Sequence, residues 1–386
     1  MAQRLPDSPA EAPRFADERD QFLHDNLARL VAGLTGFAGP QGRIAEVERR
    51  RDWAATIVRR TVEDHEALWN RARTELEGDE RFAGFELRPQ VGLVPLGPDP
   101  DTGLQEFAHL RTGEVPVRRA DGRIEFSERT GLVFVLLPGG RVRVGAQAAD
   151  PDGPNYDPEA EPIEGPVHEV ALAPFFLSKY EMSQAQWERF TGSNPSLYKA
   201  GTIAGGAPMT PANPVEAVSW DDGQSVLGRL GLLLPTEAQW EYACRAGTDT
   251  PWPTGEDRKS LAGYANISDE RTWKAGYLPR GAAYEKDFVD DYACHAPVEA
   301  LLPNRFGLHQ MIGNVAEWCR EDVTGYDVAP REGDGLRPPV RTTRIRAMRG
   351  GAYAGNASIG RVALRARAPA HFRSSSLGLR PSRAVD

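Results

Sequence analysis

The chain has 386 residues, a length typical of two or three domains. Apolar residues make up 40% of it, enough for a sizeable core, and a formal net charge of -9 argues against a general nucleic-acid binder, which would carry a basic face. No apolar run approaches the ~20 residues that span a membrane, no signal-peptide pattern is visible and three cysteines are too few for a disulfide framework. We therefore expect a cytoplasmic protein without membrane or nucleic-acid partners.

The N-terminal part of the chain has a helical pattern. Residues 1–13 contain three prolines and no periodicity, which predicts a disordered leader. Apolar residues then recur at three- and four-residue spacing over 15–34 and 44–76, with a Gly39-Pro40 break between the two runs. This pattern predicts an antiparallel helical hairpin over residues 14–80. Two roles remain open: packing on the next domain, or docking and self-association.

A change of pattern follows the helices. Between residues 81 and 131, short apolar runs alternate with turn signals such as Asp99-Pro-Asp-Thr-Gly103, which predicts a β-rich lead-in. A third domain is predicted over residues 132–386, opening with a buried strand that ends at Pro138-Gly-Gly140. The acidic, proline-rich stretch 147–166 is too polar for a core and predicts a surface loop.

Six motifs in the third domain carry a resemblance to a known family. They are Leu137-Pro-Gly-Gly140, Phe175-Phe-Leu-Ser-Lys-Tyr-Glu-Met-Ser-Gln-Ala-Gln-Trp187, Asn213-Pro-Val-Glu-Ala-Val-Ser-Trp-Asp-Asp222, Leu234-Pro-Thr-Glu-Ala-Gln-Trp-Glu-Tyr-Ala-Cys-Arg-Ala-Gly247, Gly307-Leu-His-Gln-Met-Ile-Gly-Asn-Val-Ala-Glu-Trp318 and Arg349-Gly-Gly351. In this order they resemble the formylglycine-generating-enzyme (sulfatase-modifying factor) family. A set of motifs in order is far more specific than any one of them.

The resemblance implies an α+β fold class: a helical hairpin followed by a C-type-lectin-like domain with much irregular loop. A content of 39 Gly and 31 Pro agrees with such a loop-rich fold. Thr236 is expected to cap a helix that begins near Glu237. Residues 85–145 also resemble the lead-in of bacterial proteins that fuse a protein kinase to this module. The sequence has neither a Gly-rich phosphate loop nor a His-Arg-Asp loop, so a kinase or other effector acting in trans stays open.

The catalytic positions of the family carry small residues in this sequence. The family's aerobic enzymes hold copper(I) between two cysteine thiolates, the soft ligands that copper(I) prefers. The resemblance places Gly355 and Gly360 at these cysteines, Ala352 at the active-site serine and Ala316 at a tryptophan of the site. We therefore predict a catalytically inactive homologue without copper.

Two oxidase alternatives differ from this prediction. One is an oxygen-dependent enzyme of the formylglycine-generating type that uses an unrecognised site. The other is the sulfoxide-synthase branch, whose helical bundle supplies three histidines to iron, whereas the N-terminal helices here contain only His24 and His65. Each of Cys244, Cys294 and Cys319 is expected to be a buried thiol rather than a nucleophile.

The resemblance also implies structural calcium, for which hard oxygen ligands from irregular loops are suited. One site is expected to be occupied, and the second has a weaker leading ligand, Gln310. The alternative is that Asp290 and Glu317 bind backbone groups without metal. The implied ligands are Asn266, Ile267, Asp290 and Tyr292 at the first site, and Gly313, Val315 and Glu317 at the second.

The favoured functional hypothesis is a non-catalytic ligand-binding or sensor module that binds a protein or other macromolecule. Its C-terminal loops would line a groove opened by loss of the catalytic groups, with residues 363–367 as a supporting strand. Family members diversified by retroelements vary this segment, so a variable protein, or a bacterial signalling or defence component, remains open. The candidate ligand-binding residues are Tyr353, Asn356, Ser358, Arg361, His371, Phe372, Arg373 and Ser374.

Overall fold

The computed structural model describes residues 14–339 and 343–386, so the predicted leader lies outside the described residues. The chain divides into two compact units, Met1–Arg60 and Thr61–Asp386. No helix in the described ranges is both long and apolar enough to cross a membrane.

The first unit contains two helices, α1 (Glu18–Ala38) and α2 (Arg43–Thr61). The Asp17 side chain accepts the Arg19 N–H and so caps α1. The helices occur where the apolar periodicity placed them, but α1 has no buried residue. The helical-hairpin domain over residues 14–80 stays a prediction.

The second predicted helical run is broken in the structure. After α2, a 3-10 turn at Glu63–His65 leads into α3 (Glu66–Glu77), which belongs to the second unit. Thr61 is fully buried at the break, and its carbonyl accepts the Trp69 indole N–H at 2.7 Å. One face of α3, formed by Trp69, Ala72 and Leu76, is buried in the core of the second unit.

A five-stranded antiparallel sheet forms one side of that core. Its order is β1-β2-β3-β6-β13, so the lead-in strands β1 and β2 extend the same sheet as the later strands. Phe107, Phe134 and Phe176 are fully buried where it packs. Its strands are β1 (Leu93–Pro98), β2 (Gln105–His109), β3 (Val133–Leu137), β6 (Phe175–Ser178) and β13 (Ser382–Ala384).

A four-stranded sheet of order β11-β10-β9-β12 carries the C-terminal motifs, and two short hairpins, β4–β5 and β7–β8, complete the described strands. The predicted supporting strand is found slightly later, as β11. The bounds are β4 (Gly140–Val144), β5 (His168–Leu172), β7 (Ile203–Ala204), β8 (Ala207–Pro208), β9 (Ala316–Asp322), β10 (Ile345–Arg349), β11 (Ala366–Pro369) and β12 (Leu377–Gly378).

Helices α4 to α6 each begin with a capping box, formed at Ser183, Ser219 and Thr236. The cap predicted at Thr236 is therefore confirmed. Most of the remaining chain is irregular loop, packed around the buried Trp240 and Trp318. The predicted α+β class with a loop-rich second part is confirmed. The helices are α4 (Gln184–Thr191), α5 (Trp220–Leu230), α6 (Glu237–Arg245) and α7 (Glu270–Lys274).

Candidate functional site

The C-terminal segment begins at a turn that only glycine fits. Gly350 and Gly351 have φ values of +94° and +68°, in the left-handed region. A Cβ at Gly350 would lie 3.1 Å from the Trp240 ring, and one at Gly351 would lie 2.9 Å from the Ile359 carbonyl oxygen. The turn therefore holds residues 352–360 against the core.

A buried ion network fixes the residue before this turn. The Arg349 guanidinium lies 3.2 Å from Glu237 and 2.9 Å from Glu241, with all three side chains almost fully buried. Burial alone would raise the pKa of Glu237, but Arg365 and Arg349 outweigh it and hold that pKa well below its usual value. Buried charges are tolerated only when paired, so this network makes the base of the segment rigid.

Isoleucine side chains adjoin the two glycines that the resemblance places at the family's cysteines. A Cβ at Gly355 would overlap Cδ1 of Ile359, and one at Gly360 would lie 2.8 Å from Cγ2 of Ile312. Neighbouring side chains therefore occupy the space beside both glycines.

The three cysteines are buried and unpaired, which confirms the prediction that they are buried thiols. Burial raises the pKa of the Cys294 thiol to about 11 and raises the pKa values of Cys244 and Cys319 further. Thiols of high pKa carry little of the thiolate that attacks substrates or binds soft metals.

Tyr353 is buried rather than displayed. Its side chain is 3% exposed, and the rings of Tyr198, Tyr277 and His295 stand nearly perpendicular to it at centroid distances of 6.5, 5.9 and 4.7 Å. The prediction of Tyr353 as a surface anchor was therefore wrong, because the loops that carry its partners close over it. We call these four residues the tyrosine cluster. Its members lie far apart in sequence, so no local spacing could have revealed it.

Exposed apolar side chains adjoin the tyrosine cluster. Leu197 is 67% exposed, Ile203 71% and Ile359 44%. Leu197 directly precedes Tyr198, and Ile359 lies in the same segment as Tyr353. Ile203 lies in β7, and the turn after this strand is fixed by the Gly205 N–H, which donates to Tyr277 Oη at 2.7 Å. We call Leu197, Ile203 and Ile359 the apolar rim. All three lie on segments that supply or contact members of the tyrosine cluster.

Two polar atoms beside the cluster have no hydrogen-bond partner within the described part of the chain: Glu216 Oε2 and His295 Nδ1. Glu216 Oε1 accepts the Tyr198 N–H at 2.7 Å, and the Ser375 carbonyl lies 2.7 Å from His295 Nε2. Burial raises the pKa of Glu216 to about 7 and lowers that of His295 to about 4. Both groups therefore favour the neutral form, as expected for buried and unpaired polar groups.

The loop at residues 371–376 is exposed at its tip and anchored at its base. His371, Phe372 and Arg373 are exposed, as predicted for a binding loop. Arg373 Nη1 lies 2.6 Å from Asp222 Oδ2, and the partly exposed Ser374 accepts the Ala217 N–H through its carbonyl at 2.9 Å. With the Ser375 contact to His295, the loop is tied to both α5 and the tyrosine cluster.

Of the other predicted binding residues, two are partly exposed and one is buried. Asn356 and Ser358 are partly exposed at the 3-10 turn Ala357–Gly360. Arg361 is buried and lies 2.6 Å from Asp157 and 2.8 Å from Glu164. The prediction of Arg361 as a ligand donor was wrong, because its guanidinium fastens the acidic loop 147–166 to the domain.

The first implied calcium site fits a cation. Asn266 Nδ2 donates to the Cys294 carbonyl at 2.7 Å, while Asn266 Oδ1 is buried with no partner in the described chain. The Asp290 carboxylate accepts the N–H groups of Ile267 and Tyr292, each at 2.9 Å, so the backbone bonds of the alternative are present. Burial raises the pKa of Asp290 to about 7. An unpartnered amide oxygen beside a desolvated carboxylate is chemistry that calcium accepts.

The second implied site does not fit. Glu317 lies 2.8 Å from Arg380 and accepts the Trp240 indole N–H at 2.7 Å, so a guanidinium already neutralises it. Gly313 and Val315 line the same turn, and Val315 N donates to Glu181. In the described ranges no group of three or more His, Cys, Asp or Glu is placed to hold a metal, so the first site would combine the single Asp290 carboxylate with amide and carbonyl oxygens.

The glycine turn, its buried arginine network and the loop-rich second unit define a C-type-lectin-like domain of the formylglycine-generating type. The sulfatase-modifying factor enzyme 1-like domain family matches residues 122–385. The chain belongs to this family.

Relatives in the family carry different activities in their names. The formylglycine-generating enzyme of Thermomonospora curvata is 29% identical over 239 residues, covering 49% of this chain and 71% of that protein. The inactive C-alpha-formylglycine-generating enzyme 2 of Bos taurus is 25% identical, covering 53% and 75%. A Chlamydia caviae serine/threonine-protein kinase pkn1 is 30% identical, but the match covers only 30% of it. Membership alone therefore does not decide activity.

Two solved structures share the fold. PvdO from Pseudomonas aeruginosa aligns with a TM-score of 0.53 at 24% identity, covering 67% of this chain and 97% of that one. Treponema denticola variable protein 1 aligns with a TM-score of 0.51 at 22% identity, covering 67% and 98%. At these identities the likeness concerns the fold.

Proposed function

We propose that this chain is a non-catalytic member of its family that binds a protein partner beside the former catalytic centre. The binding surface comprises the apolar rim and the exposed tip of the 371–376 loop. The observation that carries the proposal is Ile359, whose side chain covers the Gly355 position and remains 44% exposed. A residue that closes a thiolate position and also faces solvent suits recognition rather than redox chemistry.

The argument against copper chemistry rests on ligands. Copper(I) in this family needs two adjacent thiolates, and glycine at 355 and 360 offers no side-chain ligand. The chain's three thiols are buried and have raised pKa values, so none replaces the missing pair.

Copper titration under reducing conditions, with mass spectrometry of a cysteine-containing peptide, tests this half of the proposal. We expect no stoichiometric copper complex and no formylglycine. A tight one-to-one copper complex, or conversion of the peptide cysteine, would overturn it and restore the oxidase alternative.

The argument for a protein partner rests on the kind of surface presented. Large aliphatic side chains at 44–71% exposure stand on a rigid aromatic base, with the exposed Phe372 and Arg373 on a loop tied to that base. Apolar and aromatic anchors with an arginine beside them are typical of protein interfaces. Because the base is packed, binding requires little ordering of the surface.

A capture experiment with matched variants tests the binding surface. The double variant Leu197→Glu/Ile203→Glu places charges on the rim, while Val117→Glu places one at a lead-in position that is 65% exposed. We expect a partner of the wild type to bind the rim variant with at least tenfold lower affinity and to bind the control with unchanged affinity. Equal binding by all three proteins would exclude this surface. Tyr353→Ala is unsuitable as a test because it would disrupt a buried cluster.

The nature of the partner could vary if the binding segment is diversified. The proposal includes two alternatives. The chain is either a variable protein of a diversity-generating retroelement or a signalling or defence component. A near-repeat of the DNA encoding residues 352–376 beside a reverse-transcriptase gene would select the first version. A constant segment across closely related strains would exclude it.

A further inference from the structure

Helix α1 presents a continuous apolar stripe that no residue of the described ranges, 14–339 and 343–386, covers. Its side chains follow one another at spacings of four, three, four and three residues, the heptad pattern of a helix–helix seam. They are between 50% and 61% exposed, and α1 has no buried residue. The α1 stripe consists of Leu23, Leu27, Leu30, Leu34 and Phe37.

Helix α2 carries a second stripe in the same kind of register. Ile44, Val47 and Val58 are 44%, 62% and 44% exposed, and the exposed Ala54 lies between the last two. Their offsets of three, ten and fourteen residues from Ile44 are heptad positions. Both helices of the first unit are therefore amphipathic, and the described part of the chain leaves both stripes exposed.

The charges of the two helices are opposite. Helix α1 carries three acidic and two basic side chains, whereas α2 carries six arginines and three acidic side chains. Contact between α1 of one copy and α2 of another is therefore electrostatically favourable, while contact of two α2 helices is not. The acidic balance of α1 also disfavours an anionic membrane surface, which amphipathic helices bind through basic residues.

We propose that the chain forms a homodimer in which the α1 stripe of each copy packs against the α2 stripe of the other. The apolar side chains of one heptad stripe can pack between those of another. This chain supplies both stripes, and they lie on helices of opposite net charge. The contact would bury both apolar stripes, which are contiguous exposed surfaces of a kind that monomeric proteins rarely present to water. The proposal is independent of the binding surface on the second unit.

Light scattering after size-exclusion chromatography of the full chain tests the dimer. We expect a mass of twice 42.3 kDa for the wild type. The variant Leu30→Glu/Leu34→Glu is expected to be monomeric, because it places two charges in the seam. The control Ala28→Glu/Ala32→Glu has the same spacing and charge on the opposite face of α1 and is expected to remain dimeric. A monomeric wild type at about 100 µM, far above the Kd of a stable dimer, would overturn the proposal.

Cross-linking separates loss of the seam from loss of folding. The three native thiols are buried, so cysteines introduced singly as Asn26→Cys, beside the α1 stripe, and Ala55→Cys, beside the α2 stripe, would be the accessible ones. We expect a bis-maleimide to link a mixture of these two variants into a covalent dimer that contains one copy of each, and to leave the wild type unlinked. A dimer that fails to cross-link, or a Leu30→Glu/Leu34→Glu variant that stays dimeric, would show that another surface is used and would overturn the proposal.

Discussion

At the scale of single residues, the site depends on a few buried polar groups whose roles their neighbours decide. Arg361 and Arg373 have the same side chain and both lie in the C-terminal segment. The first is buried between two carboxylates, whereas the second is 49% exposed beside Asp222. Removing one partner of a buried charge pair typically costs 3–5 kcal/mol, and an exposed pair contributes about 0–1 kcal/mol. Substitution of Arg373 therefore probes binding, whereas substitution of Arg361 probes folding.

Calcium is expected to stabilise the protein through Asn266 and Asp290. A ligand that binds only the folded state at a hundred times its Kd adds about 2.7 kcal/mol, so the melting temperature should rise with calcium and fall with a chelator. Asp290→Asn should abolish this dependence, and Asp291→Asn, at the exposed neighbouring position, should keep it. Identical melting curves with calcium and with chelator would refute the site.

Glu216 predicts a pH dependence of stability that a single variant can isolate. Its pKa is raised by burial to about 7 in the folded state, above its ordinary value of 4.5. Its contribution is therefore fully present below pH 4.5 and is lost as the pH rises through 7. Relative to wild type, Glu216→Gln should gain about 3 kcal/mol of unfolding free energy between pH 4 and pH 8. For the exposed control Glu256→Gln, the difference in unfolding free energy from wild type should not change with pH. The same result for Glu216→Gln would refute the raised pKa of Glu216.

At the scale of elements, the helices of the second unit are determined by their first turns. Thr236 caps α6 by accepting the Gln239 N–H at 3.1 Å and also donates its hydroxyl to the Asp334 carbonyl at 2.6 Å. Helix α6 carries Glu237 and Glu241, which hold Arg349 at the base of the binding segment. The Thr236 cap therefore stabilises the helix that positions Arg349, which lies more than 100 residues later in the chain.

Thr236→Ala should lower the free energy of unfolding by about 2 kcal/mol, because both a cap and a buried hydrogen bond are lost. Urea denaturation measures the change. The control Thr202→Ala removes a hydroxyl that bonds only to a nearby exposed carbonyl and should stay within about 0.5 kcal/mol of wild type. A cost for Thr236→Ala no larger than that of the control would argue against the role of the cap.

At the scale of the whole molecule, the two units differ in how they are stabilised. The second unit has a continuous buried core, whereas the described part of the first has two helices with little buried surface. Segments with few buried contacts open locally at low free-energy cost. The first unit is therefore the part expected to unfold first and to depend on self-association.

Limited trypsin digestion tests this difference. At a concentration too low for self-association, cleavage should begin in α2, at the exposed Arg49, Arg50 and Arg51 or at Arg59 and Arg60. Mass spectrometry should then find a resistant fragment close to Thr61–Asp386. First cuts within the loops of residues 62–386 would show that the second unit is the weaker one.

The sequence by itself determined the family, the order of elements and the local signals. Motifs such as Leu234–Gly247 and the capping residues act within a few positions of the chain, so they can be recognised without a structure. The same holds for the helical periodicity of α1 and α2, and for the absence of cysteine at 355 and 360.

The tertiary structure decided which of the predicted residues reach solvent. Tyr353 is buried because Tyr198, Tyr277 and His295, 58 to 155 positions away, close around it. The Ile359 side chain occupies the space beside Gly355, and no residue of α1 is buried. Each outcome depends on which distant surfaces meet, and local periodicity and composition carry no information about that pairing. The sequence could therefore propose a segment for the binding surface, but which of its residues are exposed could be identified only from the packed chain.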